Sequence, residues 1–314
     1  MIAARSLRRA GIRKRRSARQ REQIWQGYAY LSPWLIGFLA FTVVPVVTSI
    51  LLSFTRYSVL RPPQFVGMQN FRRAFLEDKL MWWSLERSFY YALLLIPLGL
   101  TANLVFAVLL NQHLRVTSLW RTFFFLPTLT PSVATAIIWK WMLNADIGVF
   151  KVFFDAVGVP SPRWFSSTEW AIPGIVLMNL WTIAGGAGMI IILAGLQDVP
   201  QELIEAAEID GAGVLRRFWH ITIPMISPVL FFNLIMGIIG AFRVFDTAYV
   251  ATNGGPAKAT WFISLHIYNT AFMYFDMGYA SALSWILAVI IVAMTLLQFR
   301  LSRSWVFYRG EGRA

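Results

Sequence analysis

Apolar residues along this chain come in long continuous runs, not in alternation. Six stretches are long enough to cross a bilayer: about Tyr28 to Phe54, Phe89 to Leu110, Thr122 to Leu143, Ile172 to Leu196, Pro228 to Ala251 and Tyr279 to Leu301. A hydrocarbon core of about 30 Å takes roughly 20 apolar residues per helical span. A membrane barrel would alternate apolar and polar positions, and these runs do not. The pattern predicts an all-α integral membrane bundle of six transmembrane helices. Residues 1–27 form a basic segment, 28–301 the membrane domain and 302–314 a short tail.

One polar stretch interrupts this pattern. Between the fourth and fifth runs lies EAAEIDGAGVLRRFWHITIP, Glu205 to Pro224, charged and punctuated by glycine. Asp198, with Pro200 and Gln201 after it, reads as a helix start. Helix formers follow up to Glu208, and Gly211 supplies a left-handed end. Asp210 suits the N-cap of a second helix over roughly Ala212 to Ile223, which Pro224 closes. Residues 197–224 thus read as helix, turn, helix. Leu203, Ala206, Ala207, Phe218 and Ile221 form the apolar side. A pair of interfacial helices lying on headgroups is one reading, although such helices usually carry a basic polar face and this one is acidic. A knob that inserts into a pocket of a protein partner is the other.

Composition and charge sharpen the picture. The chain has 314 residues, 57% hydrophobic and 14% charged, with 14 Trp and no Cys. Disulfides, thiolate metal sites and cysteine nucleophiles are therefore excluded. Nine basic residues, Arg5, Arg8, Arg9, Arg13, Lys14, Arg15, Arg16, Arg19 and Arg21, precede the first run. They read as a cytoplasmic, lipid-facing cluster under the positive-inside rule, not as a nucleic-acid site. The first run is too long for a secretory h-region and no small-x-small cleavage site follows it. An even number of spans then places both termini in the cytoplasm, Arg300, Arg303 and Arg309 included. The first external loop, with Arg56, Arg61, Arg72, Arg73, Lys79 and Arg87, strains this rule.

The chemistry-bearing residues are few. No G-x-x-x-x-G-K-[ST] occurs, so no phosphate cradle is expected here. His113, His220 and His266 show no metal-ligand spacing, no metal site is read, and no nucleophile motif appears. Polar groups at membrane depth tend to face a cavity or one another. Asn103, Lys140, Asn179, Asn233, Arg243 and Asp246 are the candidates, with Trp181 and Tyr249 as aromatic neighbours. Asn179 with Trp181, and Asn233, suit sugar contact, since amides bond hydroxyls and aromatic faces stack on rings. Arg243 and Asp246, three apart on a helix, either neutralise each other or touch substrate. Lys140 reads as snorkelling to an interface. The prolines at 33, 45, 97, 127, 131 and 228 fit both kinked helices around a cavity and ordinary membrane-helix usage. Gly185, Gly186 and Gly188 fit both close helix contact and a hinge. Asn253 to Pro256, NGGP, is a turn by its chemistry.

Glu205-Ala206-Ala207, Gly211 and the Ile221 to Pro224 ending resemble the EAA loop of permease subunits in binding-protein-dependent ABC importers. The fuller EAAEIDGA form is similar to the carbohydrate-uptake branch, the maltose-type and glycerol-3-phosphate-type permeases. FVGMQNFRRAF, RTFFFLPTLTPSVATAIIWKWML, LAGLQDVPQELIEAAEIDGA, FDTAYVATNGGPAKAT and FDMGYASALS extend the likeness over about Tyr28 to Leu301. Ile223 stands where the family more often has leucine.

The resemblance implies the type I ABC importer permease fold in a bacterial inner membrane, and no catalytic residue or cofactor on this chain. It implies a second, distinct permease, two cytoplasmic ATP-binding subunits carrying ATP and Mg, and an extracytoplasmic solute-binding protein. Glu205, Ala206, Ala207, Asp210, Gly211 and Pro224 inherit the coupling role toward the ATPase, and Gly254, Gly255 and Pro256 an external position near the docked binding protein. The cargo implied is a carbohydrate, or within the same class an anionic glycerol phosphate or uronate oligomer. An ATP-independent secondary transporter would instead need mid-membrane carboxylates, of which Asp246 is the one candidate.

Overall fold

The computed structural model describes residues 18–112 and 117–307. The arginine-rich head through residue 17, His113 and Arg309 lie outside the described residues. The chain divides into two compact units, Met1–Leu51 and Leu52–Ala314. In the first, α1 (Ala18–Phe38) passes through a π-helical turn at Leu39–Val43 into α2 (Val44–Ser53). The wider turn lies just ahead of Pro45, which cannot donate a backbone hydrogen bond.

In the second unit, β1 (Thr55–Ser58) and β2 (Arg61–Phe65) form an antiparallel hairpin, followed by α3 (Gln69–Leu76). This small sheet is the one departure from an all-helical chain among the described residues. The buried Asn70 holds it: its amide donates to the carbonyls of Ser53 (2.9 Å) and Thr55 (2.8 Å).

Second comes α4 (Lys79–Leu110), which starts ten residues before the expected Phe89. Asp78 caps it by accepting from the Leu80 (2.8 Å) and Met81 (3.0 Å) N–H groups, and a good cap outweighs the mixed hydropathy of the first turns. The third and fourth spans are each two helices. α5 (Thr117–Phe125) and α6 (Ser132–Met142) flank a 3-10 turn at Leu126–Leu129. The two limbs of this span bend by 94°. Pro131 forces Thr130 into extended geometry, ψ 128°, so the helix cannot run through. α7 (Val149–Val157) then lies in the connecting segment. α8 (Ala171–Ile183) and α9 (Ala187–Gln197) bend by 50° at Gly185, φ +89°.

After α9 come α10 (Gln201–Ile209) and α11 (Val214–Arg217), a π turn at Phe218–Thr222, and α12 (Ile223–Phe242). From Val214 to Phe242 the path is one unbroken helix of 29 residues. The fifth span therefore does not begin at Pro228, and it ends at Phe242 instead of Ala251. α13 (Asp246–Thr252), α14 (Ile263–Tyr268) and α15 (Met277–Ser302) complete the fold. Pro224 does not close the loop. It sits inside the long helix, where the preceding π turn absorbs its missing N–H.

Within the second unit, α4 packs along α8, α9 and α12. One apolar cluster gathers around Met81, Tyr91, Met178, Phe242 and Leu283, and another around Leu110, Ile192, Leu196 and Ile226.

A polar latch joins the start of α4 to α14 and α15. Asp78 Oδ2 accepts from the Tyr279 hydroxyl (2.7 Å) and from His266 Nε2 (3.0 Å), while His266 Nδ1 accepts from the Trp261 indole (3.3 Å). His266 is thus packed in a structural network, and His220 is exposed with its ring against the Arg216 carbonyl (2.9 Å). Burial pushes the Asp78 carboxyl up, but the bonds from His266, Tyr279 and the Met81 N–H outweigh it and hold the group well below the usual carboxylate range. A depressed carboxyl adds stability that is complete above its unfolded pKa, about 4, and is lost as pH falls toward the folded value. Asp78→Ala, which strands His266 and Tyr279, is expected to destabilise the detergent-solubilised protein by about 1–3 kcal/mol at pH 7. In thermal unfolding the gap from wild type should narrow as pH drops below about 4.

Candidate functional site

A cavity of about 410 Å³ opens where the two apolar clusters meet along α4 and α12. Its walls bring together residues far apart in sequence: Tyr91 and Asn103 of α4, Asn179 of α8, Asn233 of α12, and Arg243, Asp246 and Thr247 beyond it. Polar side chains at this depth are costly unless bonded, and most are. The Asn179 amide nitrogen donates to the Tyr91 hydroxyl (2.8 Å) and to Thr247 Oγ1 (3.2 Å). That uses both of its N–H donors and leaves Oδ1 as an acceptor. Asn233 Nδ2 donates to the Val229 carbonyl (3.0 Å).

The breaks in spans three and four adjoin each other beside this cavity. At the second break, Asn103 Oδ1 accepts from the Gly185 N–H (3.3 Å), and Thr128 Oγ1 donates to the Thr182 carbonyl (2.9 Å). Close approach is equally strict: a Cβ on Gly185 would lie 2.4 Å from the Phe124 carbonyl oxygen. The glycines therefore serve both a helix break and close contact. Gly188 is held between two amides, since a Cβ there would meet Asn103 Nδ2 at 2.6 Å and Asn233 Oδ1 at 2.7 Å.

Arg243 and Asp246 do not neutralise each other. α12 ends before Arg243, and Phe245 departs from helical geometry (φ −140°, ψ −64°), so the three-residue spacing is not a helical one. Asp246 instead opens α13 and accepts from the Ser132 hydroxyl (2.9 Å), while no carboxylate pairs with Arg243 among the described residues. Trp181 does not line the cavity; its ring lies against Trp139, 6.1 Å between centroids. Tyr249 stands one ring behind the wall, stacked on Phe245 at 5.4 Å. Lys140 is exposed in the last turn of α6, where the helix dipole favours a cation. Tyr91, Ser132 and Thr247 line the cavity without having been singled out. The run LPTLTPS carries a signal for Ser132, because a residue just past a span-breaking proline opens a new helix.

The polar loop is a second feature. α10 begins at Gln201 with Pro200 before it, and Asp198 ends α9 instead of capping α10. Asp210 ends α10, and Gly213, not Asp210, precedes α11. Gly211 (φ +76°) donates to the Glu208 carbonyl (2.9 Å) and Ala212 to the Ala207 carbonyl (2.8 Å), a Schellman closure that requires the left-handed conformation. Glu208 pairs with Arg217 across the turn. At the tip Ile209, Val214 and Leu215 are 88%, 72% and 75% exposed. The NGGP turn has Asn253 and Gly254 in the left-handed region, and its Gly255 carbonyl accepts from Thr260 Oγ1 (2.8 Å).

Residues 95–306 match the family described as binding-protein-dependent transport system inner membrane component. The chain belongs to this family. It is an ABC transporter permease subunit and not an enzyme; ATP hydrolysis belongs to a separate chain. It is 40% identical over 289 residues to the probable ABC transporter permease protein YesP of Bacillus subtilis, covering 91% of this chain and 93% of that one. The trehalose/maltose transport system permease protein MalF of Thermococcus litoralis is 34% identical over 281 residues, covering 88% and 93%. In fold, the permease resembles a chain of the bacterial alginate ABC transporter crystallised with an alginate pentasaccharide-bound periplasmic protein. That match has a TM-score of 0.79 at 22% identity, over 91% of this chain and 96% of that one.

Gly188 gives the cavity a direct test. Gly188→Ala forces Asn103 and Asn233 apart and should cut transport about tenfold or more while the chain still inserts and assembles; uptake normalised to assembled complex measures this.

Proposed function

We propose that this chain forms half of the translocation path of a sugar importer. It pairs with a second, distinct permease, receives a carbohydrate from an extracytoplasmic binding protein, and is driven by two cytoplasmic ATP-binding subunits that hold ATP and Mg. The membrane is a bacterial inner membrane with both termini cytoplasmic. The loop 197–224 then faces the ATPase, and the segments around the NGGP turn face the binding protein.

One observation carries this reading. The helix Val214–Phe242 bears an uncovered apolar tip at one end and cavity-lining Asn233 near the other, with Arg243 immediately after it. A partner that seats on Ile209, Val214 and Leu215 therefore holds a lever whose far arm is the cavity wall. Glu205, Ala206 and Ala207 form the docking face, Asp210 and Gly211 set the turn, and Pro224 with its π turn lies along the lever. The secondary-transporter reading is not favoured, since Asp246 is bonded to Ser132 and opens a short helix beyond the span instead of sitting at its middle. The carbohydrate reading is supported by the amide-rich wall and by the similarity to the trehalose/maltose permease.

The absence of cysteine makes a clean test possible. With single cysteines at Ala206 and at Gly255, short bifunctional cross-linking in native membranes should attach the ATP-binding subunit to the first and not to the second. Labelling of Ala206 from outside would overturn the topology, and failure to capture any ATP-binding subunit would overturn the coupling role.

A specific observation favours a second reading of the cargo. Arg243 lines the cavity, and among the described residues no carboxylate pairs with it, as a site for an anionic sugar or glycerol phosphate would require. Lys140 lies outside the cavity. Arg243→Gln should slow uptake of an anionic cargo at least tenfold and of its neutral analogue far less, with Lys140→Gln changing neither; equal slowing of both cargoes assigns Arg243 to hydroxyl recognition or packing.

A further inference from the structure

A separate pocket of about 440 Å³ lies between the β1–β2 hairpin, α3 and the turn before α15. It sits where the chain leaves the first span at Ser53 and enters the last at Met277, which puts it at the membrane surface. Its walls are fixed locally. The buried Asn70 ties the Ser53 and Thr55 carbonyls to α3. Gly278 lets the first turn of α15 meet β1, since a Cβ there would collide with the Thr55 carbonyl oxygen. Phe275, on the lining, holds left-handed backbone (φ +55°), a strain that persists only where the surroundings impose it.

Arg56, Arg61 and Arg73 line this pocket together with Glu77 and Asp276. Arg73 pairs with Asp276 (2.7 Å). Arg56 reaches a neutral group, the Gln69 amide oxygen (3.2 Å), and among the described residues no carboxylate pairs with Arg56 or Arg61. Two guanidinium groups therefore stand against the single carboxylate of Glu77, and the pocket keeps a net positive charge. In a regular strand Tyr57 would point away from Arg56 and Ser58. The register slips between Arg56 and Ser58, and all three line the pocket.

Beside these cations the surface is apolar. The two-residue turn of the hairpin is Val59 and Leu60, where such turns favour Asn-Gly, and Leu60 is 88% exposed. Phe65, at the end of β2, is 81% exposed. Trp82 and Trp83 near the start of α4, and Tyr274 before α15, are exposed as well, as aromatic residues are at the boundary between headgroups and acyl chains. Arginines at headgroup level next to apolar side chains complement a lipid that carries a phosphate above and hydrocarbon below. A divalent cation would meet net positive charge, and a neutral guest would leave both guanidinium groups without an anion.

We propose that this pocket seats the phosphate of an anionic phospholipid between Arg56 and Arg61, with Glu77 accepting from the headgroup hydroxyls and Val59 and Leu60 among the acyl chains. The site requires only that the chain spans a membrane. It gives Arg56 and Arg61 a use in the segment that strains the positive-inside rule.

A benzophenone side chain placed at Leu60 reads this site alone, whereas the arginine-rich head attracts anionic lipid separately. The assembled transporter is embedded in nanodiscs of phosphatidylethanolamine with a minor share of phosphatidylglycerol and irradiated, and the lipid attached to this chain is identified by mass spectrometry. Phosphatidylglycerol should be attached about fivefold or more above its share of the bilayer, the enrichment that one cation near the surface sustains. Arg61→Gln and, separately, Arg56→Gln should abolish that enrichment. Arg61→Gln should leave the thermal midpoint in detergent unchanged, because the side chain is exposed and unpaired among the described residues. Arg72→Gln, on an exposed position of α3 outside the pocket, should leave the enrichment in place. Attachment in proportion to the bilayer, enrichment of phosphatidylethanolamine, or equal loss in Arg72→Gln overturns the site, the last by assigning the effect to diffuse charge. Attachment of the added solute-binding protein in place of lipid overturns it in favour of a protein interface. In lipid-depleted detergent, phosphatidylglycerol should raise the thermal midpoint of the wild type more than that of Arg61→Gln; an equal gain from inorganic phosphate assigns the pocket to a free anion and overturns the lipid.

Discussion

A helix broken inside a membrane exposes backbone groups to a medium that cannot bond them, and each group left so costs several kcal/mol. Two spans of this permease are broken at adjoining places, and much of the second unit can be read as the answer to that cost. Asn103 accepts the Gly185 N–H from across α4, and Thr128 takes the carbonyl that Thr182 can no longer share with its own helix. The break in the fourth span is thus satisfied in part by α4 and in part by the break in the third. The same constraint gives the polar side chains gathered here a reason to be here, since the backbone demands partners where the helices stop, and the cavity opens at that place.

The unbroken helix makes the contrasting argument. From Val214 to Phe242 there is no stop, although Pro224 and Pro228 fall within it. The π turn at Phe218–Thr222 widens the coil by one residue just before Pro224, so a proline that would otherwise break the path is accommodated. Stiffness here and discontinuity in spans three and four are complementary. Under the coupling role proposed above, a displacement applied at the loop tip would travel along a continuous helix to a wall that faces two broken spans.

The six spans were legible because hydropathy over about 20 residues is a strong signal. Charge and glycine content located the loop and its turn at Gly211, and the resemblance carried by EAAEIDGA gave that loop an expected role. What escaped depended on partners remote in sequence. The prolines at 127 and 131 and the glycines at 185, 186 and 188 were visible as ambiguous, but only Asn103 and Phe124, residues 82 and 61 positions before Gly185, decide that the fourth span breaks there. Asp210 looked like a cap because Asp favours that place, yet the Schellman closure takes Gly211 and Ala212 first and moves the next helix start to Gly213. Arg243 and Asp246 looked paired because a helix was assumed to run through them. Tyr91 carried no mark at all, being one aromatic among many until the fold set it beside Asn179. The hairpin at Thr55–Phe65, with two prolines and an exposed second strand, shows neither alternation nor β-branched enrichment.

The basic loop after the first span, which strains the positive-inside rule under the proposed topology, has a local explanation for two of its cations. Arg73 pairs with Asp276 at 2.7 Å and lies 4.0 Å above the Tyr279 ring, and Arg87 bonds Glu86 while covering Trp83 at 4.1 Å. Asp276 also caps α15 by accepting from the Tyr279 N–H. Arg73 thus holds α3 against the last span, next to the Asp78 latch, whereas Arg87 is paired and stacked within α4 itself. A charge that is paired and stacked in the folded state has a structural use that its sign alone does not reveal. The rule for orientation counts charges, whereas the fold uses their geometry, and Arg73 satisfies the second while appearing to violate the first.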